Sequence, residues 1–191
     1  MSVNITVAYH SGYGHTEKVA KAVAEGLSMS KDTHVDVINV ATITEAQWGI
    51  LDASHAIVFG APTYMGGVSG PFKSFLDATS VRWMKGAWKD KIAAGFTNSG
   101  SLSGDKLFSL QQMVITAMQH SMIWVGQAES APAVTGTNVA GIDQINRMGS
   151  WCGLMTQSNN ESAEVVPPAG DLETARRFGM RIAEITKKFN G

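Results

Sequence analysis

A single cysteine, Cys152, occurs in 191 residues. That rules out an internal disulfide framework and any Cys-x-x-Cys metal site. Charge is sparse at 16%, and 15 basic residues against 16 acidic ones leave a net charge of −1. A phosphate backbone would find no basic stripe to bind, so no nucleic-acid partner is expected. No apolar run approaches the roughly 18 residues that span a bilayer, and no membrane insertion is expected. The start, Met1-Ser-Val-Asn, lacks a basic stretch followed by an apolar one, and a cytoplasmic protein is the expectation. Repeats and low-complexity tracts are missing too. What is present is an apolar fraction of 44%, ample for a core. The length suits one domain running from 1 to 191.

Short apolar, β-branched segments alternate with segments of helical period, which is the pattern of βαβ units and a mostly parallel sheet with helices on both faces. Five strands are read: Asn4 to His10, Val35 to Val40, His55 to Gly60, Ile92 to Thr97 and Met122 to Val125. Val19, Val23 and Leu27, with Ala20 and Ala24 beside them, place an apolar stripe on one face of the first helix. Phe72, Phe75, Leu76 and Thr79 repeat that spacing after Pro71, whose fixed φ suits a first helical position. Leu107, Leu110, Val114 and Ala117 mark a further helix. The last runs through Ala175, Phe178, Ile182, Ile185 and Phe189, with Asp171 as its expected N-cap. The stretch from Gly126 to Gly170 shows no clear period, and such a length implies a site lid or a contact between copies.

In open parallel sheets ligands bind beyond the carboxyl ends of the strands, so the loops after the first, third and fourth strands carry the argument. The first is Ser11-Gly-Tyr-Gly-His-Thr16, leading straight into a helix. Its glycines allow a tight turn, the first helical N–H groups point into it, and Ser11 and Thr16 add hydroxyls. Walker A spacing and its lysine are missing, and Glu17 stands where a dinucleotide fingerprint needs a third glycine. A phosphate monoester fits better than a pyrophosphate, the competing reading being a plain glycine turn. The second loop contains Pro62, Thr63, Tyr64, Met65 and Gly66, suited to lie against a flat ring. The third, with Thr97, Asn98, Ser99, Gly100 and Ser101, offers N–H groups and hydroxyls to a carbonyl-rich ring edge. Together they suggest a phosphorylated planar cofactor.

Other single residues read more plainly. His10, His34 and His55 lie in or beside strands and are taken as structural or solvated. Cys152 has no evident base, and Ser99 and Ser103 do not sit in a Gly-x-Ser-x-Gly elbow, which argues against a serine hydrolase. No cluster has metal-ligand spacing, and no metal is expected.

With these residues the chain resembles flavodoxin-like FMN proteins, and more closely the WrbA-type NAD(P)H:quinone oxidoreductases within the NADPH-dependent FMN reductase group. The resemblance rests on Tyr9 to Thr16, Gly60-Ala-Pro-Thr63, Phe75 to Thr79, Trp83 with Gly86-Ala87, Lys91 to Ala94, Ser99-Gly100, His120 and the final Thr174 to Gly191. It implies a flavodoxin-like α/β fold with a five-stranded parallel sheet in the order 2-1-3-4-5. It implies that Ser11, Gly12, Tyr13, Gly14, His15 and Thr16 hold the FMN phosphate. By the same likeness Pro62 to Gly66 lie along the isoalloxazine and Thr97 to Ser101 meet its pyrimidine side, with His120 near the flavin and Trp83 bordering the site. The family usually has Pro-Thr-Arg-Phe-Gly-Asn where this chain has Pro62-Thr-Tyr-Met-Gly-Gly67, and its Gly-Gly-Asp-Gly run is missing from Ser150 to Asn160.

The expected function is therefore an FMN-dependent oxidoreductase. It takes electrons from NAD(P)H as co-substrate and passes them to a quinone or similar small acceptor, with no obligate catalytic side chain because the flavin carries the chemistry. The competing readings are a flavodoxin electron carrier and a regulatory flavoprotein without turnover. A carrier is disfavoured by the near-neutral charge, since carriers steer partners with acidic surfaces. A homodimer or homotetramer is expected, with Trp151 or its neighbours near a flavin site.

Overall fold

The structure is a computed structural model describing residues 2–191. The chain begins with β1 (Val3–Tyr9), in which Val3, Ile5, Val7 and Tyr9 share one face. It continues through α1 (His15–Ser28), β2 (Thr33–Asn39) and a short 3-10 turn at Val40–Thr42. Next come α2 (Glu45–Ala53), β3 (Ala56–Tyr64), β4 (Gly67–Val68), α3 (Gly70–Ala78), α4 (Ser80–Met84) and β5 (Ile92–Ser99). The remainder is α5 (Lys106–Gln119), β6 (Ile123–Trp124), β7 (Leu154–Gln157) and α6 (Ala169–Asn190).

The parallel strands lie in the order β2-β1-β3-β5-β6, which is the expected 2-1-3-4-5 arrangement of a flavodoxin-like sheet; β4 is a short antiparallel addition to β3. The edge strand differs from expectation because it is made in two pieces. β6 pairs only with Ile92 and Ala93, at the start of β5, and β7 pairs with Phe96 to Ser99, at its end. The segment from Gly126 to Gly170 is thus not a continuous loop. It leaves the sheet after β6 and returns as a strand, closing the second half of the edge.

Side chains alternate between the two faces of the sheet with the two-residue period of the strands, and β3 and β5 are buried on both. Val3, Ile5 and Val7 pack with Val19, Val23 and Leu27 of α1 and Phe178 and Ile182 of α6 on one face. Ile57 and Phe59 pack with Phe72, Phe75, Trp88, Leu110 and Met113 on the other. On the first face α1 and α6 cross backbone to backbone. A Cβ at Gly26 would fall 1.9 Å from the Arg176 carbonyl, and one at Gly179 would fall 2.2 Å from that of Val23.

Two helix readings need correction. Leu107 is half exposed, and the buried face of α5 is Lys106, Ser109, Leu110, Met113 and Ala117, because the helix is rotated so that the row through 106, 109 and 113 faces the sheet in place of the one through 107 and 114. Asp171 is not an N-cap. The helix begins after Pro168, and Asp171 lies inside its first turn, buried against Arg147. Missed altogether was α2, capped by Thr44, whose side chain accepts from the Gln47 N–H while Gln47 accepts from the Thr44 N–H.

Candidate functional site

β1, β3 and β5 end together, and their following loops meet at the carboxyl edge of the sheet, where Pro62 pairs with Asn98. The first loop enters α1 through Gly14 at φ 87°, with no side chain capping the helix. The first-turn N–H groups therefore face the turn without an internal cap, and the helix dipole adds positive potential there. Within the turn Ser11 Oγ accepts from the Gly14 N–H at 3.0 Å. Thr16 is buried, with 1% of its surface exposed.

A cavity of about 210 Å³ opens over this turn. Ser11, Tyr13, His15, Thr16, Pro62, Thr63, Tyr64, Asn98, Ser99 and Gly100 line it, so residues from all three expected loops come together. Gly12, Gly14, Met65, Gly66, Thr97 and Ser101 belong to the same loops but do not line the cavity. Thr97 is fully buried beneath it, its hydroxyl 2.8 Å from that of Thr63, which lies 2.7 Å from Ser109 Oγ. Gly12 is needed for close approach: a Cβ there would meet Tyr64 Oη at 2.5 Å. Burial pushes the Tyr64 phenol above its ordinary range. Tyr13 lies edge-on to it at 6.3 Å, and Met65, at φ 48°, is fully exposed. Tyr13 and Met65 thus project into solvent beside this small cleft, with Tyr64 partly covered between them.

Sequence reading missed the other wall. Ser158, Asn159 and Asn160, just beyond β7, complete the cavity. The backbone there closes on α1: His15 Nε2 meets the Glu161 carbonyl at 2.8 Å and Lys18 Nζ donates to that of Glu164 at 3.0 Å. Gln157 Nε2 donates to the Gly100 carbonyl at 2.8 Å. Asn98 Oδ1 accepts from Thr156 and Ser158 hydroxyls at 2.8 and 3.0 Å. The signal for this wall was the polar run from Gln157 to Asn160, legible once a strand is recognised before it. His10 belongs to the frame, its Nδ1 2.8 Å from Ser69 Oγ, with burial lowering its pKa.

Within one chain His120 and Trp83 do not line the cavity formed by these loops. α5 runs from the carboxyl edge back to the amino edge, and Ile123, just after His120, pairs with the first residue of β5. Six strand residues separate that level from Asn98, roughly 20 Å. There His120 and Trp83 line a separate cavity of about 450 Å³. Thr79 Oγ1 donates to the Leu76 carbonyl at 2.7 Å, so His120 Nε2, 2.8 Å away, is the donor to Thr79. That leaves Nδ1 a bare buried acceptor without a partner, and burial lowers the His120 pKa. Trp151 lies elsewhere again, in a third cavity of about 840 Å³ with Leu102, Phe108 and Arg147, behind the loop that follows β5.

Comparison with known proteins shows the family. Residues 1–134 match the family model of NADPH-dependent FMN reductase. A relative named Flavodoxin FldP, from Pseudomonas aeruginosa, is 44% identical over 96% of this chain and 97% of its own. An NAD(P)H dehydrogenase (quinone) from Chromohalobacter salexigens is 30% identical over 98% of each chain. The crystal structure of the flavodoxin, WrbA-like protein from Agrobacterium tumefaciens aligns with a TM-score of 0.76 at 41% identity, covering 98% of this chain and 99% of that one. The chain belongs to the NADPH-dependent FMN reductase family.

Proposed function

We propose that this member of the NADPH-dependent FMN reductase family holds FMN at the carboxyl edge of the sheet and passes electrons from NAD(P)H to a quinone or similar small acceptor. The observation that carries the reading is the uncapped N-terminus of α1 opening into a cleft that contains no carboxylate, with an exposed aromatic rim. Those residues fit the cofactor. Ser11 and Thr16 offer hydroxyls to a phosphate, and the N–H groups of the first helical turn face it. A cleft of 210 Å³ is below the usual 300–1,000 Å³ of ligand sites. It would take the phosphorylated tail, and Tyr64 with Met65 on one side and Ser99 to Ser101 on the other would hold the planar ring at its mouth.

When bound, FMN supplies the two-electron redox chemistry. The chain's own residues bind and orient. Gly12 lets Tyr64 close on the turn, and Gln157 fixes the loop at Gly100. Asn98, held by Thr156 and Ser158, keeps the polar floor in place. In this reading no side chain need be an obligate acid or base.

The whole chain, 1–191, acts as one FMN-binding domain in this reading, in the cytoplasm, where reduced nicotinamides are supplied. It works as a homodimer or homotetramer. From Leu107 to Ala128 no Asp, Glu, Lys or Arg occurs, and Met84, Phe108, Ile115 and Trp151 are more than half exposed. Apolar exposure of this kind favours a subunit contact. Association would let the His120–Trp83 cavity of one copy face the flavin mouth of another, supplying the contact that one chain cannot make. The 44% identity to a protein named a flavodoxin favours a second reading, an electron carrier. Mixing the FMN-loaded protein with NADPH and then a quinone separates the two. Bleaching of the flavin absorbance by NADPH and its recovery on quinone support the reductase. Flavin that only a chemical reductant bleaches makes the protein a carrier.

A further inference from the structure

The side chain of Lys106 is fully buried. Lysine is almost never so placed, because removing an ammonium from water is costly and an apolar side chain of similar size sits there more cheaply. Its position explains what the charge can do. Nζ donates to the Ser101 carbonyl and, at 3.0 Å, to that of Leu102, while the loop from Ser99 to Asp105 curls over it. Gly104, at φ 53°, makes the curl possible, since a Cβ there would lie 2.4 Å from Ser99 Oγ. Gly100 lines the cofactor cleft. One Cα step, one carbonyl and one hydrogen bond from it place the ammonium within about 9 Å of the cleft wall.

Two other charged groups face Lys106: Asp171 from α6 and Arg147 from the segment before β7. Arg147 engages both oxygens of Asp171, at 2.6 and 3.0 Å, and the Gln157 N–H takes a further bond at 2.8 Å. That carboxylate is matched by Arg147, so the trio carries one net positive charge beneath the loop. Burial pulls the Lys106 ammonium down to about 8, with Arg147 acting the same way and Asp171 opposing. At neutral pH it stays protonated.

We propose that Lys106 raises the electron affinity of the bound flavin, its buried ammonium favouring the negative charge that the ring gains at its pyrimidine side on reduction. The proposal rests on the reading that FMN occupies this cleft. Hydride from the nicotinamide delivers two electrons and one proton, so the ring gains one negative charge and the nicotinamide one positive charge. Lys106 itself gives up no proton. A unit charge about 12 Å from the ring, one van der Waals contact beyond that wall, at an effective dielectric of about 20 shifts the ratio of reduced to oxidised ring roughly tenfold. Lys106 is a positioning residue, acting through the loop and its field.

The test is the midpoint potential of the FMN-loaded protein, measured by equilibration with an indicator dye from pH 6 to 10. Lys106→Met should lower the reduced-to-oxidised ratio about tenfold, which is about 30 mV for a two-electron couple. Lys106→Arg should keep it within about threefold of the parent. In the parent the potential should fall more steeply with pH from about 8 upward, as Lys106 loses its proton, and this break should vanish in Lys106→Met. An FMN-bound Lys106→Met protein with unchanged potential overturns the proposal. If that variant fails to fold, Lys106→Gln, neutral but still a hydrogen-bond donor, takes its place, and an unchanged potential there overturns the proposal equally. A parent protein that binds no FMN refutes the cofactor reading instead, a result seen before any potential is measured.

Discussion

Replacing Asp171 by Asn leaves Arg147 buried with no counter-charge, and the structure sets the cost. Side-chain exposure is 5% for Arg147 and 2% for Asp171, the pair is bidentate, and the carboxylate also accepts from the Gln157 N–H. Breaking a buried pair by removing one partner costs about 3–5 kcal/mol, mostly as the penalty of the orphaned charge. Here Lys106 makes the loss worse, since two cations then face each other. For a chain of this size each kcal/mol moves the melting temperature by about 2–4 °C, so Asp171→Asn should melt roughly 6–20 °C lower. The double variant Arg147→Met with Asp171→Leu removes both charges and should recover most of that loss. Thermal and urea unfolding of the FMN-free protein, followed by circular dichroism, measure both. A cost below about 1 kcal/mol for the single variant, or a double variant worse than the single, would refute the account of this pair.

Two further outcomes follow from the geometry. Thr16→Ala removes one buried hydroxyl from the phosphate turn. A charge-assisted hydrogen bond is worth roughly 1.5–3 kcal/mol, so FMN affinity by fluorescence titration should fall about ten- to a hundredfold; an unchanged dissociation constant would move the phosphate elsewhere. Gly26→Ala forces a methyl against the Arg176 carbonyl where α1 and α6 cross, and should cost at least the 1–3 kcal/mol of ordinary overpacking in urea unfolding.

The central strands were legible because Ile5, Val7, Val58 and Ala94 sit in runs that no solvent-facing segment would carry, and the stripe Val19-Val23-Leu27 fixed the buried face of α1. The three loops that line the cleft could be read from their glycines and hydroxyls directly after strands. β7 was not legible. Four residues among Gly, Ser and Asn carry too little period, and only the unpaired second half of β5 gives them a place. The wall at Ser158 to Asn160 was lost with it. Helix α2 had a readable start in Thr44-Glu-Ala-Gln47, which was passed over. His120 and Trp83 show a different limit, since a family likeness identifies residues without locating them within one chain. The direction of α5 against the strands already puts its last turn at the far edge of the sheet.

The central claim, that the turn from Ser11 to Thr16 holds a phosphate monoester on a flavin, is tested most directly by titrating FMN-free protein with FMN and with riboflavin. The two differ only in the phosphate. At least two charge-assisted bonds from the turn, at roughly 1.5–3 kcal/mol each, predict that FMN binds more than about a hundredfold tighter. Equal affinity for the two would contradict the account.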